Sequence, residues 1–408
     1  MTACHDAVVV GAGPTGLAAA VALQTIGRTA VVIDAGEDRT AGTRALAVHP
    51  GTLEVLERLG CTDAILGECL RIRGMQFRSP GRVLARMSND HLPSRFTFTA
   101  SLPQPRTEAI LRARAHEGGV RFVAGRARGV VEDDAGVAAV LEDGSSVRGR
   151  YLVAADGMHS TVREAIGVSY EDTGAEAFDD QNMILADVIL SGPADFEYIN
   201  ATMGPAGLAV LAPLPGGLMR LVVNAPAQRT APSDDELQDF LDARGPRPAS
   251  IGGRLVIDSV VWTSHFQYRH RLASTFRAGR VLIAGDAGHA HSPAAGQGMN
   301  LGIRDAFYAA AAVDSALADG GSPHRSETIL DTYAAHRKAA AQGVIAATNR
   351  MNRMFYAPPP AQPLRNLALR VLSRTAVPSK MALGFSGLLD TGPDVSRADA
   401  APHAASAA

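Results

Sequence analysis

The stretch VVVGAGPTGLAAAVALQTIGRTAVVID, residues 8–34, decides the fold of this chain. A β-branched run, an alanine-rich run that ends at Gly27 and a second β-branched run predict a strand, a helix and another strand. Gly11, Gly13 and Gly16 form the pattern G-x-G-x-x-G between the first strand and the helix. Glycine at these positions permits a tight turn, close approach of a pyrophosphate and close packing of helix on strand. The stretch therefore predicts a βαβ unit that binds a dinucleotide.

Residues on both sides of the glycine turn complete this predicted site. Pro14 and Thr15 open the helix, whose first backbone N–H groups can hold phosphate oxygens. Asp34 ends the second strand, at the position where a carboxylate accepts hydrogen bonds from ribose hydroxyls. These residues support dinucleotide binding, but they leave open whether the ligand is FAD or NAD.

A second segment, RVLIAGDAGHAHSPAAGQGMNLGIRD at residues 280–305, favours a flavin. A strand brings Asp286 to its carboxyl end, where a carboxylate can bind a polyol such as the ribityl chain. A glycine loop follows, and a helix is predicted to begin near Met299. The N–H groups and positive dipole end of that helix suit the negative charge of a reduced flavin. The candidate cofactor residues of this segment are Gly285, Asp286, Pro293, Gly296, Gln297, Gly298, Met299 and Asn300.

Composition describes an ordinary globular protein of 408 residues, of which 46% are hydrophobic and 20% are charged. The net charge of -2 gives no electrostatic reason to expect nucleic acid or an anionic membrane as the main partner, so small molecules are the expected ligands. Cys4, Cys61 and Cys69 lack Cys-x-x-Cys spacing and a His-rich neighbourhood, which argues against a zinc site or a redox disulfide. They fit a reducing cytoplasm, and no apolar run is long enough to cross a bilayer.

Three motifs, in this order, resemble those of the class A flavoprotein monooxygenases, which have the para-hydroxybenzoate hydroxylase fold. They are GAGPTG at residues 11–16, AADGMHSTVR at residues 154–163 and GDAGHAHSPAAGQGMN at residues 285–300. The middle motif matches the D-G-x-x-S-x-V-R pattern of the family. The resemblance implies that its residues act in both FAD and NAD(P)H binding, and the candidates are Asp156, Gly157 and Arg163.

The resemblance also implies roles for residues outside the glycine turns. Arg44 and Gln104 match positions that hold FAD, and Pro293 matches a proline whose backbone carbonyl lies beside the flavin and the substrate. Ordinary loop chemistry explains Pro293 equally well. His289 and His291 stand as close together as a metal pair, but relatives commonly carry His at the first position. A packing or flavin-loop role is therefore the stronger interpretation, and no metal is predicted.

The activity implied by the resemblance is hydroxylation of an aromatic or phenolic small molecule, such as one of secondary metabolism. NADPH or NADH binds transiently and reduces a non-covalently bound FAD, O₂ adds at C4a, and the hydroperoxide transfers oxygen to the ring. Arg220, His265 and Tyr268 are candidate substrate contacts, on strands that are expected to face the flavin. A solvated strand face explains each of them equally well. A monomer or a homodimer is expected.

Two other functions stay open. A flavin-dependent reductase of an isoprenoid or related double bond shares this fold and needs no oxygen. A flavoprotein that sequesters an unstable intermediate would do little chemistry itself. A flavin-dependent halogenase is disfavoured, because its motif needs two tryptophans and Trp262 is the only one in this chain.

The order of predicted elements indicates an α/β plus β fold. Strands within residues 120–155 predict an antiparallel meander, and those within residues 183–264 predict a second, mostly antiparallel sheet. We therefore expect a Rossmann-like FAD-binding domain interleaved with an antiparallel substrate domain and followed by short helices. The predicted boundaries are 1–72, 98–178 and 265–353 for the first domain, 73–97 and 179–264 for the second, 354–392 for the helical segment and 393–408 for a disordered tail.

Overall fold

The computed structural model describes residues 5–36, 45–173, 182–224, 231–318 and 323–392. Their strands, in chain order, are β1 (His5–Val10), β2 (Ala30–Asp34), β3 (Ala47–Val48), β4 (Leu70–Ile72), β5 (Gly74–Ser79), β6 (Arg82–Ser88), β7 (Thr99–Ser101), β8 (Arg121–Ala124), β9 (Ala127–Asp133), β10 (Gly136–Leu141), β11 (Ser146–Ala154), β12 (Tyr170–Asp172), β13 (Asn182–Ser191), β14 (Tyr198–Gly204), β15 (Gly207–Pro213), β16 (Leu218–Asn224), β17 (Val256–Gln267), β18 (Arg271–Ala273), β19 (Arg277–Ala278), β20 (Val281–Ile283) and β21 (His289–Ala290).

The helices of the described residues lie between residues 14 and 385. In order they are α1 (Pro14–Thr25), α2 (Pro50–Arg58), α3 (Thr62–Glu68), α4 (Gln104–Glu117), α5 (Thr161–Ala165), α6 (Asp234–Arg244), α7 (Pro248–Ile251), α8 (Gln297–Ala318), α9 (Pro323–Phe355), α10 (Gln362–Leu372) and α11 (Val377–Phe385). None of the described helices has both the length and the apolar character needed to cross a membrane.

An eight-stranded sheet is built around β1. Its main order is β19-β20-β11-β1-β2-β8, and β10 and β9 continue from β11. β20, β11, β1, β2 and β8 are parallel, as the βαβ pattern predicts. The valines of β1 are buried on both faces, which is usual for a parallel strand between layers of helices. The structure thus has the mixed α/β character that the sequence predicts.

One prediction about local structure was wrong, and one helix boundary differs by two residues. The meander includes β9, β10 and β11, but β8 pairs in parallel with β2, with Arg121 opposite Val31. Parallel strands need a crossover connection, and α4 lies between β2 and β8 in the chain and packs on α1. The helix predicted to begin near Met299 begins at Gln297, so Gln297 and Gly298 belong to its first turn.

A seven-stranded sheet joins two separate parts of the chain. Its order is β17-β13-β16-β15-β14-β5-β6, and all its pairs are antiparallel except β14 with β5. An antiparallel hairpin supplies β5 and β6, while β13 to β17 come from residues 182–267. Within β14 the buried polar residues Asn200 and Thr202 interrupt the apolar pattern of the strand. The sheet therefore lies far from the βαβ unit in sequence but next to it in space.

The last part of the described chain is helical, in agreement with the predicted short helices. α10 and α11 both pack against β6 at the edge of the seven-stranded sheet. No residue of α10 is buried, so this helix lies on the surface. Residues 393–408 lie outside the described residues, and the predicted tail stays a prediction.

Candidate active site

A cavity of about 800 Å³ lies between the two large sheets. One side consists of the loops that follow β1 and β11, at the carboxyl ends of the parallel strands. The other side consists of residues from β5, β6 and β13 to β17, which belong to the seven-stranded sheet. Ligands of parallel α/β sheets bind at this edge, because the loops and helix N-termini converge there. The volume falls within the range of ligand and cofactor pockets.

Two helix N-termini border the cavity. Gly13, Pro14 and Thr15 line it where α1 begins, and Gly298 and Met299 line it where α8 begins. Each helix start presents backbone N–H groups and a partial positive charge, which suits phosphate oxygens or a reduced flavin. A Cβ added to Gly298 would meet no atom within 4 Å, so the space beside this residue is open to a ligand. The site thus fits a group that carries negative charge in two places.

The glycine turn is compressed around backbone atoms. Gly11 has a φ of +101°, and a Cβ added there would lie 2.3 Å from the carbonyl oxygen of Ala155. A Cβ at Gly16 would lie 1.8 Å from the carbonyl oxygen of Gly11. Neither distance is possible for a real side chain, so these two glycines hold the loop and helix in place rather than line the cavity.

The structure brings most predicted site residues to the cavity. Those that line it are Gly13, Pro14, Thr15, Gln104, Asp156, Gly157, Arg220, Tyr268, Asp286, Pro293, Gly296, Gly298 and Met299. Predicted residues that do not line it are Gly11, Gly16, Asp34, Arg163, His265, Gly285, Gln297 and Asn300. Arg44 lies outside the described residues. Asp34 ends β2 beside the end of β1, where an Nη of Arg112 donates to its Oδ2 at 3.0 Å.

Asp156 shapes the loop of the middle motif. Its carboxylate accepts hydrogen bonds from Ser160 Oγ at 2.5 Å and from the backbone amide of Val162 at 3.1 Å. Ser160 in turn caps α5, because its Oγ accepts from the amide of Arg163. Gly157 has a φ of +85°, which glycine adopts without strain. The motif therefore folds into a rigid loop at the cavity wall.

Arg163 joins this loop to the second flavin motif. It is buried, and its guanidinium donates to the carbonyl oxygens of Met158 at 3.2 Å and Ala287 at 3.1 Å. The guanidinium also lies 4.0 Å from the ring centre of Tyr170, whose hydroxyl donates to the carbonyl of Asp286 at 2.8 Å. These contacts assign Arg163 to positioning both loops. The direct FAD and NAD(P)H contact implied by the resemblance stays a prediction.

Two predicted cofactor residues use their side chains to hold other segments. Asn300 donates from Nδ2 to the carbonyl oxygens of Ala47 and Gly296, both at 2.7 Å, and accepts from the amide of His49 at 2.8 Å. Gln297 donates from Nε2 to the carbonyl of Phe385 at 2.9 Å. The first turn of α8 is thereby fastened to the region of β3 and α2 and to the C-terminal helices.

Behind the second motif lies a buried ionic network. Asp305 on α8 contacts Arg337 Nε at 2.6 Å, His289 Nε2 at 2.7 Å and the amide of Gly285 at 3.0 Å. Burial by itself would raise the pKa of Asp305, but the charges of Arg337 and His289 and the hydrogen bonds outweigh it and hold the pKa at about 2. Arg337 also binds Asp390 at 2.8 Å. The network holds the flavin loop, α8, α9 and the C-terminal segment together.

His291 is a neutral acceptor at the cavity. Burial, with a further contribution from His289, lowers the pKa of His291 to about 4. Its Nδ1 lies 2.9 Å from the carbonyl of Ser292, so Nδ1 carries the proton and donates. Nε2 is buried and has no hydrogen-bond partner in the part of the chain that the structure describes. The described residues contain no group of three or more His, Cys, Asp or Glu arranged to hold a metal.

The wall formed by the seven-stranded sheet is mostly apolar. Its apolar lining side chains are Met75, Met87, Met183, Leu185, Ile199, Leu208, Val210, Ala212, Val222 and Phe266, and Arg220 and Gln267 also line it. Tyr268 also lines the cavity and is buried. His265 does not: it is exposed, and its neighbour Phe266 is the residue that turns inward. The predicted contact of His265 with the substrate has no support from the cavity lining and stays a prediction.

Arg220 lines this wall, and the carboxylate of Asp187 neutralises its charge. It is 3% exposed and forms two hydrogen bonds with Asp187, from Nε at 2.7 Å and from Nη2 at 2.8 Å. Asp187 and Arg220 are direct partners in the pairing of β13 with β16. The guanidinium also lies 5.5 Å from the ring centre of Trp262. The pair adds polarity to the wall without net charge.

Sequence reasoning missed Asp187 and the C-terminal part of the site. Asp187 stands alone in the apolar run MILADVIL and Arg220 stands alone in LMRLVVN, so two isolated charges in apolar strands were the available signal. Phe355, Tyr356 and Phe385 also line the cavity, although they belong to the helices at the end of the described chain. No local pattern in that segment indicates a binding site.

Comparison with known proteins is decisive for the family. A family model described as an FAD binding domain matches residues 5–348. The chain is 32% identical to a rifampicin monooxygenase of Rhodococcus hoagii over 375 residues, which cover 89% of this chain and 74% of that protein. The chain belongs to the class A FAD-dependent aromatic hydroxylases. The resemblance stated from the motifs and the prediction of FAD as cofactor are thereby confirmed.

Two further comparisons give the share of each chain that is matched. A 6-methylpretetramide 4-monooxygenase of Streptomyces rimosus is 33% identical over 348 residues, which cover 84% of this chain and 60% of that protein. The crystal structure of p-nitrophenol 4-monooxygenase PnpA from Pseudomonas putida DLL-E4 matches with a TM-score of 0.79 at 24% identity and covers 94% of this chain and 98% of that one. The second match supports the fold alone.

Proposed function

We propose that this chain uses NAD(P)H and O₂ to hydroxylate a large, uncharged aromatic molecule. The observation that carries the proposal is the wall formed by the seven-stranded sheet, which is mostly apolar and in which Asp187 neutralises Arg220. A small aromatic acid would need an unpaired cation to hold its carboxylate, whereas fused rings need apolar area. The names of relatives that act on 6-methylpretetramide, rifampicin and anhydrotetracycline agree with a substrate of this size.

We propose that the predicted cofactor residues divide FAD between them. Gly13, Pro14 and Thr15 at the start of α1 would hold the pyrophosphate, on a turn whose tight packing needs Gly11 and Gly16, and Asp34 would bind the adenosine ribose. Asp286 would bind the ribityl chain. The first turn of α8, with Gly298 and Met299, would face the pyrimidine edge of the ring. The two helix N-termini at the cavity support this assignment.

FAD, when bound, supplies electron transfer from NAD(P)H and activation of oxygen. The chain itself positions the aromatic ring against the apolar strands and keeps water away from the reacting atoms. Met299 and its neighbours in α8 provide a fixed positive dipole end for developing negative charge. His291 can accept a hydrogen bond at Nε2, because its ring is neutral and Nδ1 is already occupied by a carbonyl.

The domain boundaries stay part of the proposal. The strands of residues 74–88 and 182–267 share one sheet, which supports assigning 73–97 and 179–264 to a substrate domain. The remaining parts, 1–72, 98–178 and 265–353, contain the eight-stranded sheet and both glycine motifs, which supports an FAD-binding domain. Residues 354–392 cover one end of the cavity.

Oxygen dependence tests the function. With anhydrotetracycline or rifampicin as probes, we expect faster NAD(P)H oxidation than without a ligand, together with oxygen uptake and an added oxygen atom that derives from labelled O₂. Mass spectrometry of the product measures the incorporation. A probe converted equally well without O₂ would instead indicate a reductase. Tight binding of a probe with no turnover would indicate a protein that sequesters its ligand.

Removing the negative charge beside Arg220 should change which ligands bind. In Asp187→Asn the guanidinium keeps its charge in an apolar wall, so we expect aromatic carboxylates such as para-hydroxybenzoate to bind about tenfold more tightly, a change of about 1.4 kcal/mol. Fluorescence or flavin difference spectra would measure the dissociation constants. Asp187→Asn with Arg220→Gln is the matched control, since it restores a neutral pair and should lose the gain. Equal carboxylate affinity in both variants would contradict the proposed role of the pair.

A further inference from the structure

α10 carries an apolar stripe on its outer side. Leu364 is 71% exposed, Leu367 55%, Val371 57% and Leu372 41%. Leu364, Leu367 and Val371 are spaced by three and four residues, which places them on one face of the helix. We call these three residues the α10 stripe. Large apolar side chains that are exposed together mark a contact with another molecule more often than isolated ones do.

The opposite side of α10 is fastened to the protein, so the stripe is held facing outward. Arg365 donates from Nη1 to the carbonyl of Met354 at 3.2 Å and from Nη2 to the carbonyl of Met203 at 3.4 Å. Leu369 packs against the apolar cluster that contains Phe77 and Phe355. Because these contacts fix the rotation of the helix, exposure of the stripe is a property of the fold and not of a loosely attached segment.

The sequence around the stripe is strongly basic. Residues 332–389 contain eight Lys and Arg and no Asp or Glu. Without these eight, the 39 Lys and Arg of the chain fall to 31, against 41 Asp and Glu. The remainder therefore has a net charge of -10, although the whole chain has only -2. The small overall charge conceals a basic C-terminal region, which is why it gave no electrostatic reason to expect an anionic partner.

Five of these cations are exposed: Arg350, Arg353, Arg370, Arg374 and Lys380. The first two lie in the last turns of α9, and the others lie in α10, in the turn after it and in α11. None of the five forms an ion pair with another described residue. Their charges are consequently available to an anionic surface.

We propose that the α10 stripe and its basic surroundings bind an anionic lipid surface. An apolar helix face with Lys and Arg beside it inserts into the interface of a bilayer, where aliphatic side chains enter the acyl boundary and cations meet phosphate groups. A second copy of the chain is the weaker occupant. Symmetric pairing of two α10 helices would bring basic segments together, and residues 332–389 offer no carboxylate to compensate.

In the chain, α10 lies between two segments that line the cavity. Phe355 and Tyr356 precede α10, Ala382 and Phe385 follow it, and all four line the cavity. A lipid surface on α10 would thus lie beside the segments that form this part of the cavity wall. The lipid contact itself rests on exposure and charge and does not depend on the hydroxylase activity.

Vesicle flotation of the full-length FAD-loaded protein tests the proposal. We expect it to float with vesicles in which about a third of the lipid is phosphatidylglycerol, but not with pure phosphatidylcholine, and to be released at about 1 M salt. Leu364→Ser with Leu367→Ser, and separately Arg370→Gln with Arg374→Gln, should each weaken binding at least about tenfold. Flavin absorbance confirms that each variant is folded.

The matched control is Val131→Ser, which removes an apolar side chain that is 55% exposed on β9, outside the C-terminal helices. It should float like the unaltered protein. No flotation with anionic vesicles would overturn the proposal, as would equal loss in the control and the stripe variant. A concentration-dependent dimer that the stripe variant dissociates, without vesicle binding, would assign the stripe to a second copy instead.

Discussion

Replacement of Asp305 by asparagine is expected to lower the free energy of unfolding by about 3–5 kcal/mol. Asp305 is completely buried and lies 2.6 Å from Arg337, which is also completely buried. Asparagine preserves the size of the side chain but leaves the Arg337 charge with only Asp390 as a carboxylate partner. A buried charge that loses its partner has little water to replace it, so the cost is large. Urea denaturation monitored by circular dichroism measures the change.

Asp331→Asn is the matched control for this variant. Asp331 pairs with Arg277 at 2.5 Å, but its side chain is 72% exposed. Arg277 keeps the carboxylate of Glu327 as a partner, and water can solvate the exposed position of Asp331, so the same substitution should cost less than about 1 kcal/mol. If both variants lost the same stability, the buried network would not have the structural importance that its geometry indicates.

The same carboxylate gives the stability a defined dependence on pH. Its pKa is held at about 2 in the folded protein, below the usual value of about 3.9 for the unfolded chain. The stabilisation is therefore complete above about pH 4 and is lost as the pH falls towards about 2. Asp305→Asn should reduce the slope of stability against pH in that interval, and denaturation at several acidic pH values would show it.

Gly11→Ala should weaken FAD binding by about tenfold to a hundredfold. The added Cβ would stand 2.3 Å from the carbonyl of Ala155, at a φ of +101°. Relief of this contact must move either the glycine turn or the loop that carries Asp156, and both border the cavity. The purified variant should carry less flavin, and titration of the apoprotein with FAD measures the dissociation constant.

Gly27→Ala separates backbone strain from the clash. Gly27 also has a positive φ, of +81°, but a Cβ there would meet no atom within 4 Å. It follows α1, at the end away from the cavity, so the variant should retain FAD and lose only about 1 kcal/mol of stability. Loss of FAD in this variant to the same degree would show that the tight turn at Gly11 has no special role.

The family and the cofactor could be predicted from the sequence because short, local motifs indicate both of them. Gly11, Gly13 and Gly16 are close in the chain, and the conformations that they permit are determined within a few residues. The loops that contain Asp156 and Asp286 have equally local signatures, and each forms part of the cavity wall. Runs of β-branched and alanine residues likewise predict the strands and helices that carry these loops.

Pairing between distant segments was decided only by the tertiary structure. β8 joins β2 in parallel because α4 provides a crossover, which strand spacing does not reveal. Arg163 contacts Ala287 rather than the cavity because two loops meet. Asp187 neutralises Arg220 through the register of β13 with β16, and a shift of one residue would face both side chains elsewhere. Sequence by itself thus determined the cofactor motifs, whose geometry is local, whereas the charge and shape of the substrate wall depend on contacts between segments far apart in the chain.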